Sequence, residues 1–424
     1  MRILFLTPAF PPFSGGGERY VGALARELAR RGHEVTVVTS AAQMEQELWL
    51  GTAVQQTIFQ DVDGVKVVRC PIRPFFGKRN GLLAWRKGMA LLSLASNSSA
   101  TMLFQMARFI PPVFELEETL SSLPGSFDLV HGFNISWEYP LTMGWRYARA
   151  KGIPFVITPF AHFGSGSQDR VALNSTMVHQ RHVMNDADAA LVLTSIEAEG
   201  LRQYNITPRY VDVIGGGLDD LPPRLEPEKI AAKYQLHDPF ALFIGRVNRD
   251  KGALDAAKAI LTLRQKGQPV TLALIGQVTP EFNRFYANLN GDEKEGIRPL
   301  GVLSDSEKHA LLEACTLFLM PSHSDSFGIV FLEAWAHSKP VIGARAGGIP
   351  GVVDDGVNGI LVPYGDVPVL AQAVRRLLTE RELNQIMGQR GHEKVAKKYS
   401  WDHVVGRTVV NYQKCLSRSN EDMA

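Results

Sequence analysis

The chain has 424 residues, 45% of them hydrophobic and 21% charged, a composition that fits a soluble globular protein of two or three domains and excludes a disordered one. Forty-five Lys+Arg against 43 Asp+Glu leave a net charge of +2, too little for bulk attraction to nucleic acid. Three cysteines, Cys70, Cys315 and Cys415, lie far apart with no CxxC pair, which excludes a disulfide scaffold or structural zinc and suits a reducing cytoplasm.

The chain opens on Met1-Arg-Ile-Leu-Phe-Leu-Thr-Pro8. That apolar run is too short, and too soon broken by Pro8, for a signal peptide, and it reads as a buried first strand over residues 3–6. A helix is predicted over 18–31, with Val21, Leu24, Ala25 and Leu28 at helical spacing and Gly32 closing it. Further strands are predicted at 34–39, 65–68, 127–131, 155–158, 189–193 and 210–213. A second series follows at 240–244, 270–275, 317–320, 340–342 and 360–361. Short β-branched runs alternating with helical patterns are the mark of parallel sheets built from βαβ units. Between the series stand Gly215-Gly216-Gly217 and then Pro222, Pro223 and Pro227, a composition that marks a hinge over 215–235. The expectation is two doubly wound α/β domains, 1–215 and 216–400, facing across a cleft. No run of about 18 uncharged apolar residues occurs, so no bilayer span is expected.

Four strand-end segments could carry chemistry, since ligands of open parallel sheets gather at strand ends. In Pro321-Ser-His-Ser-Asp325-Ser-Phe327-Gly328-Ile329-Val-Phe-Leu-Glu333, a helix is expected to begin near Ser326, capped by Ser324 or Ser326. The amides of Phe327, Gly328 and Ile329 would then point outward at an anion, with Asp325 before the turn and Glu333 two turns inside. The other reading of this segment is an ordinary capped helix with a solvated Asp. In Gly245-Arg246-Val-Asn-Arg-Asp-Lys251-Gly252, Arg246 and Lys251 could neutralise a diphosphate without a metal, or could be solvated surface bases. Gly15-Gly16-Gly17 leads into the first helix without the spacing of a dinucleotide fingerprint, so it permits close backbone approach or is a plain turn. His162, in Thr158-Pro-Phe-Ala-His162, could bond a sugar hydroxyl or be a packing residue. Asp61-Val-Asp63 and Asp186-Ala-Asp188 precede strands rather than leave them, and neither is read as a metal site.

Taken in order and spacing, these segments resemble the family-four glycosyltransferases, retaining enzymes of the GT-B fold. The likeness is strongest at residues 7–39, 127–131, 243–252 and 301–363, and Tyr399-Ser-Trp401-Asp402 resembles that family's ending. The resemblance implies an N-terminal acceptor domain closed by a last helix at about 401–418, and a C-terminal donor domain. It implies that Arg246, Lys251 and the Phe327–Ile329 amides hold the diphosphate of a nucleoside-diphosphate sugar, with Gly16 close to the phosphate. Glu333 would bind the donor ribose, and His162 and Asp325 would stand at the reacting sugar. No metal or other cofactor is implied. Asp325 departs from the family's Glu by one methylene, which bears on the donor sugar. Gly347-Gly-Ile-Pro-Gly351 departs from relatives that carry Glu after the Pro, and no role is assigned to Gly351. Two other readings stay open: a nucleotide-sugar-binding protein with little transferase activity, and a nucleotide-sugar epimerase.

From Gly64 to Phe114 there is no Asp or Glu, while eight bases occur: Lys66, Arg69, Arg73, Lys78, Arg79, Arg86, Lys87 and Arg108. Interleaved with Phe75, Phe76, Leu82, Leu83 and Trp85, they make Lys78, Arg79, Arg86 and Lys87 a candidate patch for an anionic or lipid-linked acceptor, or for peripheral contact at the inner face of a membrane. A helical insertion with solvated bases is the alternative. No nucleic-acid partner is expected.

Overall fold

The computed structural model describes the chain except Ser14, Phe114, residues 164–169, Asp238 and Ala424, with the backbone alone for Asn97, Arg170 and residues 419–423. The chain divides into two compact units, Met1–Gly216 together with Trp401–Ala424, and Gly217–Ser400.

In the first unit, β1 (Arg2–Leu6), β2 (Glu34–Ser40), β3 (Ile58–Val62), β4 (Val65–Cys70), β5 (Leu129–Phe133), β6 (Phe155–Thr158), β7 (Ala189–Val192) and β8 (Val211–Val213) form one sheet. Its order is β3-β4-β2-β1-β5-β6-β7-β8. Only β3 runs antiparallel, paired with β4 across the turn at Asp63 and Gly64. The apolar runs of β1 and β5 are almost wholly buried, as strands covered by helices on both faces must be. Sequence patterning misses β3 because nearly all of it is exposed, Phe59 included, so no buried face imprints an alternation. Asp61 lies in that edge strand, and its Oδ1 accepts from the Gly64 amide at 3.0 Å, a turn-forming role.

The second unit holds β9 (Phe240–Ile244), β10 (Thr271–Ile275), β11 (Ile297–Gly301), β12 (Leu317–Met320), β13 (Val341–Ala344) and β14 (Gly359–Val362), all parallel, in the order β11-β10-β9-β12-β13-β14. Sequence reading also misses β11, an edge strand whose Arg298 and Pro299 break its pattern. In both sheets the first strand sits inside, with the second on one side and the fourth crossover strand on the other. The chain therefore reverses its direction of travel at β1/β5 and at β9/β12, and loops leaving those strand ends diverge to leave a ligand crevice.

The last helix, Trp401–Met423, belongs to the first unit, as expected of the fold. Trp401 packs on Tyr20 with ring centroids 5.5 Å apart, and Val404, Val405, Thr408 and Tyr412 are buried. The Tyr412 hydroxyl lies 2.6 Å from His131 Nδ1, and His131 Nε2 lies 2.9 Å from Thr158 Oγ1. Burial holds His131 well below the usual imidazole range, so it is a neutral bridge joining β5, β6 and the returning helix.

Between β4 and β5 the helices Lys78–Ala95 and Ala100–Ala107 build a small core of their own from Leu82, Met89, Leu103, Ala107, Ile110 and Met177. Arg86 pins this insertion to the main body. Its guanidinium lies 3.0 Å from Glu138 Oε2 and donates to the Asn174 carbonyl at 2.9 Å, and its side chain is only 16% exposed. Arg86 is therefore corrected from the surface patch: a buried carboxylate needs a cation paired with it, and Arg86 is turned inward to serve Glu138. Lys78, Arg79 and Lys87 are exposed.

Candidate active site

The loops after β9 and β12 leave the second sheet at its reversal point and interlock. The Asp250 carbonyl accepts from the His323 amide at 2.8 Å and from Ser322 Oγ at 3.4 Å, while Asp250 Oδ2 accepts from Ser324 Oγ at 2.5 Å. Lys251 Nζ donates to Asp325 Oδ1 at 2.8 Å, and both side chains are half-buried. Gly252 makes the approach possible. Its φ is +78°, and a Cβ there would stand 2.3 Å from the Pro321 carbonyl oxygen, so only glycine fits both the turn and the space. Arg246 is exposed in the same loop. Arg246 and Lys251 thus share the loop after β9, and Lys251 meets Asp325 of the loop after β12.

The helix after β12 begins later than its sequence suggests. It runs Ile329–Ala336, its N-cap is Gly328 in the left-handed region at φ +77°, and it has no side-chain cap. Ser324 does not cap it: it lies four residues before the cap position, and its hydroxyl is turned to Asp250 in the neighbouring loop. Among the three expected amides, only that of Ile329 belongs to the first turn; those of Phe327 and Gly328 precede the helix, and the Phe331 amide already bonds the Gly328 carbonyl at 2.9 Å. Phe327 is buried, its ring edge-on to Tyr399 at 5.4 Å, and anchors the turn.

Glu333 therefore stands one turn inside the helix, not two. It is buried, and Oε1 accepts from Lys308 Nζ at 2.8 Å. Lys308 is also buried and lies 3.0 Å from Asp305 Oδ1. Glu333 Oε2 is buried without a hydrogen-bond partner, which leaves its acceptor capacity unused. Lys308 escapes sequence reading, since a lysine in an amphipathic helix carries no mark of pairing with a carboxylate 25 residues on.

The remaining candidates lie in the first unit. Gly16 is the first residue of the helix Gly16–Arg30, exposed, and a Cβ there would meet open space. His162 is half-buried in the loop leaving β6. That loop is held by Glu197, which sequence reading passed over. Its Oε1 accepts from the Ala161 amide at 2.7 Å and its Oε2 from the Leu193 amide at 2.9 Å, with Phe160 at φ +47° just before. Thr194-Ser-Ile-Glu197 carries the spacing of a helix-capping box, and Thr194 Oγ1 does accept from the Glu197 amide at 3.0 Å. The carboxylate, however, reaches past the cap residue to the neighbouring strand's loop.

Two units in one chain, each with its parallel strands in Rossmann order, make the architecture of the GT-B fold. Solved structures share the architecture. Sucrose-phosphate synthase from Thermosynechococcus elongatus matches with a TM-score of 0.73 at 19% identity, covering 98% of this chain and 99% of its own. Anabaena HepE in complex with UDP-glucose matches with a TM-score of 0.68 at 19% identity, covering 97% and 99%.

The family follows from the sequence itself. Residues 15–217 match the model of the glycosyl transferase 4-like domain, and residues 227–394 match that of glycosyl transferases group 1. The D-inositol 3-phosphate glycosyltransferase of Saccharomonospora viridis is 28% identical over 95% of this chain and 90% of its own length. The chain belongs to the family-four, group 1 glycosyltransferases, and it is a glycosyltransferase enzyme.

Proposed function

We propose that this enzyme transfers a sugar, with retention and without a metal, from a nucleoside-diphosphate sugar in the second unit to a hydroxyl acceptor bound by the first. The observation that carries the reading is the Lys251–Asp325 pair at the sheet reversal, with Arg246 on the same loop. HepE, which shares the fold, has been captured with UDP-glucose, and this supports a donor of that class.

When the bond from the anomeric carbon to the phosphate oxygen breaks, the departing diphosphate gains negative charge. Arg246 and Lys251 supply fixed positive charge there, and the Ile329 amide at the helix start adds a dipole. Such preoriented groups lower the barrier without reorganising. In the free enzyme Lys251 is held by Asp325; an arriving diphosphate offers it a stronger anion and releases the Asp325 carboxylate toward the sugar. Glu333 Oε2 accepts from a ribose hydroxyl. The acceptor hydroxyl attacks on the face the diphosphate leaves, forming the new carbon–oxygen bond as its proton passes to the departing phosphate oxygen, with His162 bonding the reacting sugar.

Steady-state kinetics with a sugar nucleotide test the clamp. Arg246→Ala and Lys251→Ala should each lower kcat/KM roughly 10²-fold or more, and activity should persist in excess chelator. Near-wild-type rates in both variants, or loss of turnover in chelator, would overturn the metal-free clamp.

A further inference from the structure

The helix Lys78–Ala95 carries apolar residues on two faces. Leu82 and Met89 turn inward to the insertion's own core. The outer face carries Asn80, Ala84, Lys87, Leu91 and Leu94, which fall together at helical spacing and are all exposed, Leu91 at 69% and Leu94 at 65%. A helix on a water-facing surface carries polar residues there. Adjoining elements add Phe76 at 93% exposure and Met102 at 60%, so four of the six large apolar side chains at least 60% exposed among the described residues lie in or beside this insertion.

We propose that this outer face docks on the surface of an anionic lipid bilayer. The choice of partner comes from charge. Lys87 is exposed one turn before Leu91 on the same face, Lys78 and Arg79 are exposed at the helix start beside Phe76, and no carboxylate occurs between Gly64 and Phe114. Exposed apolar side chains for the acyl boundary, with exposed bases along the same helix for the headgroups, are what an interfacial helix needs. A second copy of the chain would be a poor occupant, because a twofold contact would bring the same basic surface against itself. The contact is peripheral: no helix among the described residues is long and apolar enough to cross a membrane. Arg86, tied to Glu138 inside the body, anchors the helix and so presents its outer face in a fixed orientation. The proposal stands apart from the transfer chemistry and neither requires nor supports it.

The test is co-sedimentation of the full chain with vesicles of phosphatidylcholine alone or mixed with phosphatidylglycerol, at low and high salt. Wild type should sediment with the mixed vesicles at low salt and be released by salt. A Lys78→Gln/Arg79→Gln/Lys87→Gln variant should lose roughly a hundredfold in partitioning, about fivefold per base. A Leu91→Ser/Leu94→Ser variant should lose about tenfold or more. Both variants alter exposed side chains only, and unchanged melting profiles serve as the control for folding. No sedimentation with anionic vesicles, equal binding to neutral ones, or equal partitioning of variants and wild type would overturn the proposal. So would a concentration-dependent dimer in sedimentation velocity that the leucine substitutions abolish, since that outcome assigns the face to a second copy.

Discussion

Three buried carboxylates meet the cost of desolvation in three ways. Burial raises the Glu138 carboxyl, but Arg86 and His179 outweigh it and hold the group below its usual range. Glu333 has Lys308 beside it. Glu197 has only the amides of Leu193 and Ala161, which lower its pKa less than burial raises it, and the carboxyl is pushed up to about 7. Because the folded value lies above the unfolded one of 4.5, the native state binds the proton more tightly. The stability this contributes is full below pH 4.5 and is lost as the pH rises through about 7. Glutamine at 197 does not titrate, so Glu197→Gln should gain stability relative to wild type between those limits, by on the order of 3 kcal/mol, and then level off. Thermal melts of both proteins across this range give the difference; one independent of pH would show that Glu197 is not strained by ionisation.

At the scale of elements, the two interlocked loops of the second unit rest on a third. The turn after β13 passes so close beneath the Asp325 loop that a Cβ on Gly348 would stand 1.8 Å from the Ser326 carbonyl oxygen, while the Gly348 amide donates to the Asp325 carbonyl at 2.7 Å. Gly348→Ala should therefore displace residues 325–326 and cut kcat/KM for the donor about tenfold or more, a size expected when catalytic groups shift by around 1 Å. An unchanged kcat/KM would mean that this loop does not set the Asp325 geometry. The sequence shows these loops as strand ends followed by Gly, Ser and charged residues, which suffices to locate them, because buried parallel strands imprint apolar runs. It does not show where the helix after Gly328 starts: of the expected caps, Ser324 turns its hydroxyl to Asp250, 74 residues earlier in the chain. The same non-local logic hides Lys308 and Glu197. Arg86 is a sharper case, since its sequence neighbours mark it as a surface base and only a carboxylate 52 residues on turns it inward.

For the molecule as a whole, charge is distributed unevenly. A net +2 for the chain conceals +8 in residues 64–114, so the rest carries −6 by difference. The first unit is also built from both ends of the chain, and His131 is one of the places where they join. Tyr412→Phe removes the hydroxyl that partners His131 Nδ1, leaving a buried polar nitrogen bare at a cost of about 1–3 kcal/mol. Calorimetry should show that loss in the transition of the first unit, with the second unit's transition unchanged; a loss shared equally by both would argue against a local bridge.

That joining also sets a schedule during synthesis. His131 leaves the ribosome 281 residues before Tyr412, an interval of roughly 15 to 60 s at ordinary translation speeds. Throughout it, the nascent first unit carries the bare groove that the final helix will cover, so the unit made first is the last to be completed. Chaperones that shield exposed apolar surface have their window there, and a stalled or clipped transcript would strand the growing polypeptide in its most aggregation-prone form.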